Sequence, residues 1–400
     1  MVEADAMMRG TLGDFFSISR EKGSEGLPTL SVTMHDGLVR RDSIDRKTES
    51  ELEDGEHLRV RPGDIAYNMM RMWQGASGLA TEEGIVSPAY VVVRPKKTID
   101  PLFASYWFKS ERMIYLFWAY SYGLTNDRLR LYAKDFTQIP VELPALPEQR
   151  WIAEVLADFD GAIESTEALV AAKRRRKRAL VDQVFAPSID LDMPIPPGWS
   201  RVRCDKLANV VGGSTPDTTK SAYWGGSIPW CTPTDLTDLP SRYISTTART
   251  LTQAGVSACS TSILPARSIV LCSRASVGES AINTVPMCTN QGFQSLVPKQ
   301  EGDLYYLYYL MQGCKRRLVR LSAGSTFLEF PGRELAQMPI VIPPSAEREK
   351  VGRMFAALDD EIDLISARAI ALREQRRGLM QRLLSGDSKH YCRIMEEVAV

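Results

Sequence analysis

The sequence predicts an α+β protein: two mixed α/β domains separated by two long helices that pair as an antiparallel coiled coil, the whole arranged as a pseudo-two-fold internal repeat. Three observations predict it. The first is a duplication. Asp135-Phe-Thr-Gln-Ile-Pro-Val-Glu-Leu-Pro144 is echoed by Glu334-Leu-Ala-Gln-Met-Pro-Ile-Val-Ile-Pro343 at an offset of 334 − 135 = 199 residues. Without a gap, Gln138, Pro140, Pro144, Glu148, Ala157, Asp160, Ile163, Ala168, Arg174, Arg178 and Leu180 match Gln337, Pro339, Pro343, Glu347, Ala356, Asp359, Ile362, Ala367, Arg373, Arg377 and Leu379. So long a period means two copies of a domain-sized unit, not a solenoid. The second observation is a long apolar stripe closing each copy. The third is a proline-rich break between the copies, 186–199, with Pro187, Pro194, Pro196 and Pro197, which reads as a linker.

The elements follow in order. In the first domain (1–145), Val60–Tyr67 reads as a turn into a strand, Ala89–Val93 as a strand and Tyr106–Tyr120 as a helix, with Gly123 placed to cap it. The first long helix (146–187) opens near Pro147. Its seam is Ile152, Phe159, Ile163, Thr166, Val170, Leu180 and Val184, interrupted by Lys173 and Lys177. The second domain (188–343) repeats the order with Ser268–Leu271, Phe293–Val297 and a Leu304–Leu321 helix followed by Gly324. The second long helix (344–386) is capped by Ser345. It carries Val351, Phe355, Leu358, Ile362, Ile365, Ala369, Leu372, Leu379 and Leu383 in alternating four- and three-residue steps, interrupted by Arg376. Residues 387–400 form a tail. Each helix of about 40 residues would be roughly 60 Å long. We read the stripes as an antiparallel pair; packing of each on its own domain or on a partner is the competing reading.

Composition excludes several classes. Of 400 residues, 44% are hydrophobic and 24% charged, a globular balance. Lys plus Arg and Asp plus Glu are 49 each, so any nucleic-acid affinity must come from local patches. No apolar run approaches the ~18 residues of a membrane span, and Met1–Gly10 carries acids without an apolar core, so the expected location is the cytoplasm. The seven cysteines all follow residue 200 and form no CxxC pair, which argues against a disulfide framework or zinc site. His35, His57 and His390 each stand alone and read as surface or loop residues. There is no GxxxxGK[ST] phosphate loop, GxGxxG, HExxH or GxSxG, and no adenine-methyltransferase signature. Gly212-Gly213-Ser214-Thr215-Pro216 is too short for a phosphate loop. No cofactor is expected in this chain.

Against this background the chain resembles the specificity subunits of type I restriction–modification enzymes. Leu146-Pro-Glu-Gln-Arg-Trp-Ile-Ala-Glu-Val-Leu156 is similar to the family's helix-opening motif, and Leu12-Gly-Asp-Phe15 to the start of a first recognition domain. Gly198-Trp199, Val210–Pro216 and Tyr223-Trp-Gly-Gly-Ser-Ile-Pro-Trp230 resemble the start of a second. Gly63–Gly75 and Ser87–Tyr90 resemble another recognition-domain type. The likeness spans about residues 10–386, although Pro344-Ser-Ala-Glu-Arg-Glu349 departs from the helix-opening motif. It implies two target-recognition domains, each reading one half of a bipartite, asymmetric site on double-stranded DNA. The helix pair would set the unread spacer and dock two methyltransferase subunits, which restriction subunits then join. S-adenosylmethionine, ATP and Mg would sit on those partners. The rival readings are a nuclease or methyltransferase with a divergent site, and a protein-binding scaffold.

Base edges are read by side chains with donors and acceptors. In the first domain the candidates are Asn68, Arg71 and Gln74 just past a strand, with Arg128 and Arg130 placed for phosphates. In the second they are Ser214, Thr215, Lys220 and Tyr223 in a glycine-flanked loop, Ser273 and Arg274 after a strand, and Ser325 and Thr326 after a turn. The run Lys173, Arg174, Arg175, Arg176, Lys177 and Arg178 suits either a solvated face or contact with DNA backbone or a partner. Trp73, Trp224, Trp230 and the Tyr305, Tyr306, Tyr308, Tyr309 group read as packing residues.

Overall fold

The computed structural model describes residues 7–34, 36–44, 54–237, 239–322 and 329–384. The chain divides into two units, Met1–Ser165 with Ile370–Val400, and Thr166–Ala369, so each long helix contributes to both. Among the described residues, no helix is long and apolar enough to cross a membrane.

The first unit is built on an antiparallel four-stranded sheet, ordered Phe16–Ser19, Tyr90–Pro95, Ile65–Asn68, Ser77–Leu79. The expected Val60–Tyr67 turn and strand are present, with Gly63 at φ 92°, where glycine costs least. The segment expected as one helix, Tyr106–Tyr120, is instead split between Pro101–Trp107 and Glu111–Ala119. Ser110 breaks it: its hydroxyl accepts the Met113 N–H at 3.3 Å, a local cap that competes with helix continuation. The break turns Phe108 inward, 5.3 Å from both Phe16 and Phe117, in an aromatic core completed by Tyr67 and Phe136. Gly123 does not cap by a positive φ. A Cβ there would lie 2.5 Å from the Arg128 carbonyl, so glycine permits two backbones to touch. His57 is buried rather than superficial, whereas His35 and His390 lie outside the described residues.

The second unit holds a five-stranded sheet, ordered Ala208–Gly212, Gln294–Pro298, Ile269–Leu271, Ser280–Asn283, Tyr243–Ile244. Beside it is a three-stranded sheet of Arg249–Leu251, Trp224–Cys231 and Cys288–Thr289. Tyr306, Tyr308 and Tyr309 are buried on the Leu304–Gly313 helix, as helical spacing of large apolar rings predicts, and Tyr305 packs partly buried against the same core. That helix also stops earlier than expected; Lys315–Leu321 is a separate helix after Cys314. The stretch read as a linker is half core. Ala186–Ile189 is helical, and the buried Ser188 hydroxyl both donates to the Val341 carbonyl (2.6 Å) and accepts its N–H (3.0 Å).

The long helices are Leu146–Val184 and Ser345–Leu384. Ser345 is the first residue of the second; its hydroxyl donates to Gln300 Oε1. The duplication reappears as repeated interactions. Strand Met8–Thr11 pairs with Pro140–Leu143, and Ser200–Arg203 with Pro339–Ile342. At the helix openings, Gln149 and Arg348 occupy positions 199 apart. The buried Gln149 accepts the Asp100 N–H (2.9 Å) and donates to the Pro144 carbonyl (2.8 Å). Arg348 donates to the Pro343 carbonyl (3.0 Å) and forms a two-pronged ion pair with Asp303 (2.7 and 3.1 Å). The departure of the second motif is thus one role filled by other chemistry.

Further along, each unit closes a Tyr–Asp–cation lock between the helices. In the first unit, Tyr106 donates to Asp160 (2.7 Å), which also pairs with Arg376 (2.5 Å). In the second, Tyr309 donates to Asp359 (2.6 Å), which pairs with Lys177 (2.5 Å). Asp160 and Asp359, and Lys177 and Arg376, are again 199 apart. The cations that interrupt the apolar seams therefore bridge the helices. In the second unit Lys173 also reaches Glu361 (2.6 Å) and Phe185 stacks on Phe355 (5.8 Å), so one helix ascends as the other descends. The seam packs both ways. Ile152 and Phe355 enter the unit cores, Val170 and Ile362 are buried, and Phe159, Ile163, Leu358 and Ile365 are half-buried.

Six free cysteines are described, all in the second unit, and Cys259 is the one not fully buried. Burial pushes the thiols of Cys204 and Cys272 up to about 12, and that of Cys314 to about 11, from an ordinary 9.0. A raised acid pKa stabilises the fold fully below the unfolded value. That contribution is lost as pH rises from about 9 through the folded values. Urea titrations at pH 8 and pH 10.5 are expected to show the second unit losing more stability than cysteine-to-alanine variants do. Among the described thiols, Cys259 should react first with a disulfide reagent at pH 8; faster reaction of Cys204 or Cys314 would contradict the burial.

Candidate functional site

In the first unit, the strand ending at Asn68 runs into a tight loop. Asn68 Oδ1 accepts the Met70 N–H (3.0 Å), the Met72–Gln74 turn follows, and Gly75 closes it at φ 87°. Met72 is buried beneath, leaving Arg71 and Gln74 exposed; Trp73 is half-buried and its indole donates to the Met70 carbonyl. The Leu131 N–H donates to the Met69 carbonyl (2.9 Å), and Tyr122 and Arg130 exchange backbone hydrogen bonds. Asn68, Arg71 and Gln74 are thereby brought beside Arg128 and Arg130. Arg71, Arg128 and Arg130 are exposed, and none has a carboxylate partner among the described residues. Nearby Met70, Tyr115, Trp118, Tyr122 and Tyr132 are exposed. No local signal in the sequence could separate these from core apolar residues.

The second unit gathers its candidates around the Asn290–Gly292 turn. The Ser214 N–H donates to the Thr289 carbonyl (3.0 Å), and the Thr215 hydroxyl donates to Gln291. From the other side, the Ser273 N–H donates to the Gly292 carbonyl (2.8 Å), and a Cβ at Gly292 would lie 3.3 Å from Arg274 Nε. Ser214, Thr215 and Arg274 thus converge, with Asn290 and Gln291 as members the sequence did not single out. Ser273 is the exception. It is fully buried, its hydroxyl has no partner among the described residues, and its carbonyl accepts the Phe330 N–H (3.1 Å). Lys220 and Tyr223 lie further along the same loop, the ammonium 5.4 Å over the ring. Trp230 is buried and Trp224 half-buried against it. Ser325 and Thr326 lie outside the described residues.

The basic run divides by helical geometry. Lys173 and Lys177, four apart, face the second helix and are spent on Glu361 and Asp359. Arg174, Arg175, Arg176 and Arg178 are exposed. Arg178 lines a cavity of about 700 Å³ that also includes Lys315 and Arg316, two cations far away in sequence.

Residues 43–172 and 196–374, well over half of the chain, match the type I restriction modification DNA specificity domain. The chain is 40% identical over 171 residues to the type I restriction enzyme MjaIX specificity subunit of Methanocaldococcus jannaschii, covering 42% of this chain and 40% of that protein. Over 388 residues it is 20% identical to the putative MjaX specificity subunit of the same organism, covering 92% and 88%. The fold matches the crystal structure of the HsdS subunit from Thermoanaerobacter tengcongensis, with TM-score 0.55, 16% identity, and 95% and 97% of the two chains covered. The repeated framework, the two polar faces and the family match agree: the chain belongs to the type I restriction–modification specificity subunits.

Proposed function

We propose that this chain is the non-catalytic DNA reader of a type I enzyme, each recognition domain taking one half of a bipartite, asymmetric target on double-stranded DNA. The observation that carries the reading is the pair of unlike polar faces set on one repeated framework. One face offers Asn68, Arg71, Gln74, Arg128 and Arg130; the other offers Ser214, Thr215, Lys220, Tyr223 and Arg274. Arg71, Arg128 and Arg130, which have no acid partner among the described residues, suit phosphate neutralisation; Arg274 pairs with Glu329 at 4.0 Å, and the amide, hydroxyl and guanidinium groups of both faces suit base edges. Because the two faces differ, the half-sites should differ. Half-sites on one face of a duplex lie roughly 34–36 Å apart, and helices of about 40 residues, roughly 60 Å long, are of the scale needed to fix such a gap.

Two methyltransferase subunits would dock along the helix pair and carry S-adenosylmethionine; restriction subunits would bring ATP and Mg. The complex would work in the cytoplasm. Exposed Arg174, Arg175, Arg176 and Arg178 are available to DNA backbone or to an acidic partner surface, and a salt dependence that flattens on neutralising them would identify phosphate contact.

Methylome sequencing of cells with and without the chain tests the reading. A bipartite methylated motif should vanish with the chain, while the isolated chain should neither cleave nor methylate DNA. Activity of the isolated chain would favour a divergent nuclease or methyltransferase. An unchanged methylome beside active partner subunits would favour a protein-binding scaffold. Lengthening both long helices by one turn should change the unread gap and leave the half-site letters intact; changed letters at a constant gap would contradict the proposal.

A further inference from the structure

Two indoles in the second unit hold an arginine that the sequence reading did not include. Strand Trp224–Cys231 runs antiparallel to Arg249–Leu251, but the register slips: Trp224 and Ile228 both lie opposite Leu251, and Trp230 lies opposite Arg249. Residues 225–227 are looped out. Gly225 takes φ 78°, and a Cβ on Gly226 would come within 2.3 Å of the Leu251 carbonyl, so this loop requires both glycines. The slip carries Trp224 back beside Trp230, with ring centroids 4.9 Å apart and planes at 82°.

Arg249 lies on this pair. Its guanidinium carbon is 3.5 Å from the Trp224 ring centroid and 5.4 Å from that of Trp230. A 3.5 Å separation is van der Waals contact, so the planar group lies face-on to Trp224 and its donors spread parallel to the ring. The backbone is pinned as well: the Thr247 hydroxyl donates to the Arg249 carbonyl (2.6 Å) and accepts the Trp230 N–H (3.1 Å). The same indoles hold the candidate loop, Trp230 donating to the Ser214 carbonyl and Trp224 to the Asp217 carbonyl, each at 3.1 Å. Arg249 is exposed and pairs with no carboxylate among the described residues. Structural arginines of this unit behave otherwise, as Arg242 with Asp360 and Arg348 with Asp303 show.

We infer that Arg249 reads a guanine in the half-site taken by the second recognition domain, an assignment that rests on the DNA-reading function proposed above. A phosphate contact asks only for charge within reach, which a flexible chain supplies. A stacked guanidinium has already lost its rotamer freedom, and presents a fork that matches guanine O6 and N7. Arg249 is thus the specificity-determining residue of this face, and Trp224 and Trp230 are its positioning residues.

The test is methylome sequencing of cells carrying the full chain with its methyltransferase partners, as wild type, Arg249→Lys and Arg249→Gln. Lysine keeps the charge and loses the fork. Both variants are expected to lose roughly 10- to 100-fold preference at one G·C position of one half-site. The other half-site and the gap should stay unchanged, and unaltered urea midpoints would establish folding. A uniform loss of methylation with an unaltered motif, rescued by lysine, would make Arg249 a phosphate contact and overturn the assignment; so would relaxation at a position other than G·C. A wild-type chain that directs no bipartite methylation would instead overturn the underlying function.

Discussion

Asp303→Ala is expected to lower the unfolding free energy of the second unit by about 3–5 kcal/mol, the usual cost of stranding one member of a buried ion pair. The Arg348 and Asp303 side chains are 10% and 3% exposed, and both Asp303 oxygens accept from the guanidinium. Removing the carboxylate leaves a buried charge whose remaining acceptor among the described residues is the Pro343 carbonyl. The first copy shows that a neutral solution exists, since Gln149 meets the equivalent proline carbonyl and a backbone N–H with no charge at all. Arg348→Gln combined with Asp303→Asn should therefore cost less than Asp303→Ala alone. Urea unfolding of wild type, Asp303→Asn, Arg348→Gln and their double variant as a double-mutant cycle, with Asp303→Ala measured beside them, checks this; additive losses around the cycle would show that the pair is not coupled.

Phe355→Ala should cost about 3–5 kcal/mol, as for other fully buried aromatic truncations. Phe355 is 0% exposed and packs between Phe185 (5.8 Å) and Tyr309 (5.2 Å). Neither neighbour is free to collapse into the cavity: Phe185 adjoins the segment tied down by Ser188, and Tyr309 is held by Asp359. The half-buried Ile365→Ala on the same helix should cost much less. Thermal unfolding monitored by circular dichroism separates the two. Equal losses would mean that the seam, and not the core beneath it, carries the stability.

The sequence by itself determined the repeat, the two long helices and the mixed domains, because these rest on periodicity and on identity at one offset. It also placed Tyr306, Tyr308 and Tyr309 in the core, since large rings at helical spacing have few other places to go. Tertiary structure alone decided which polar side chains meet. Lys173 and Lys177 already fell on the apolar seam by their spacing, but their partners Glu361 and Asp359, 188 and 182 residues away, are named only by the folded pair of helices. Ser273 looked like a reader beside Arg274 and proved buried, as are Leu271 and Cys272 before it, so the exposed part of the segment begins only past Ser273. Arg249 gave no local signal: its partners Trp224 and Trp230 lie about twenty residues earlier and come together through a register slip at two glycines. Helices are written in local spacing, whereas a binding face is assembled from contacts between distant segments, which local spacing does not encode.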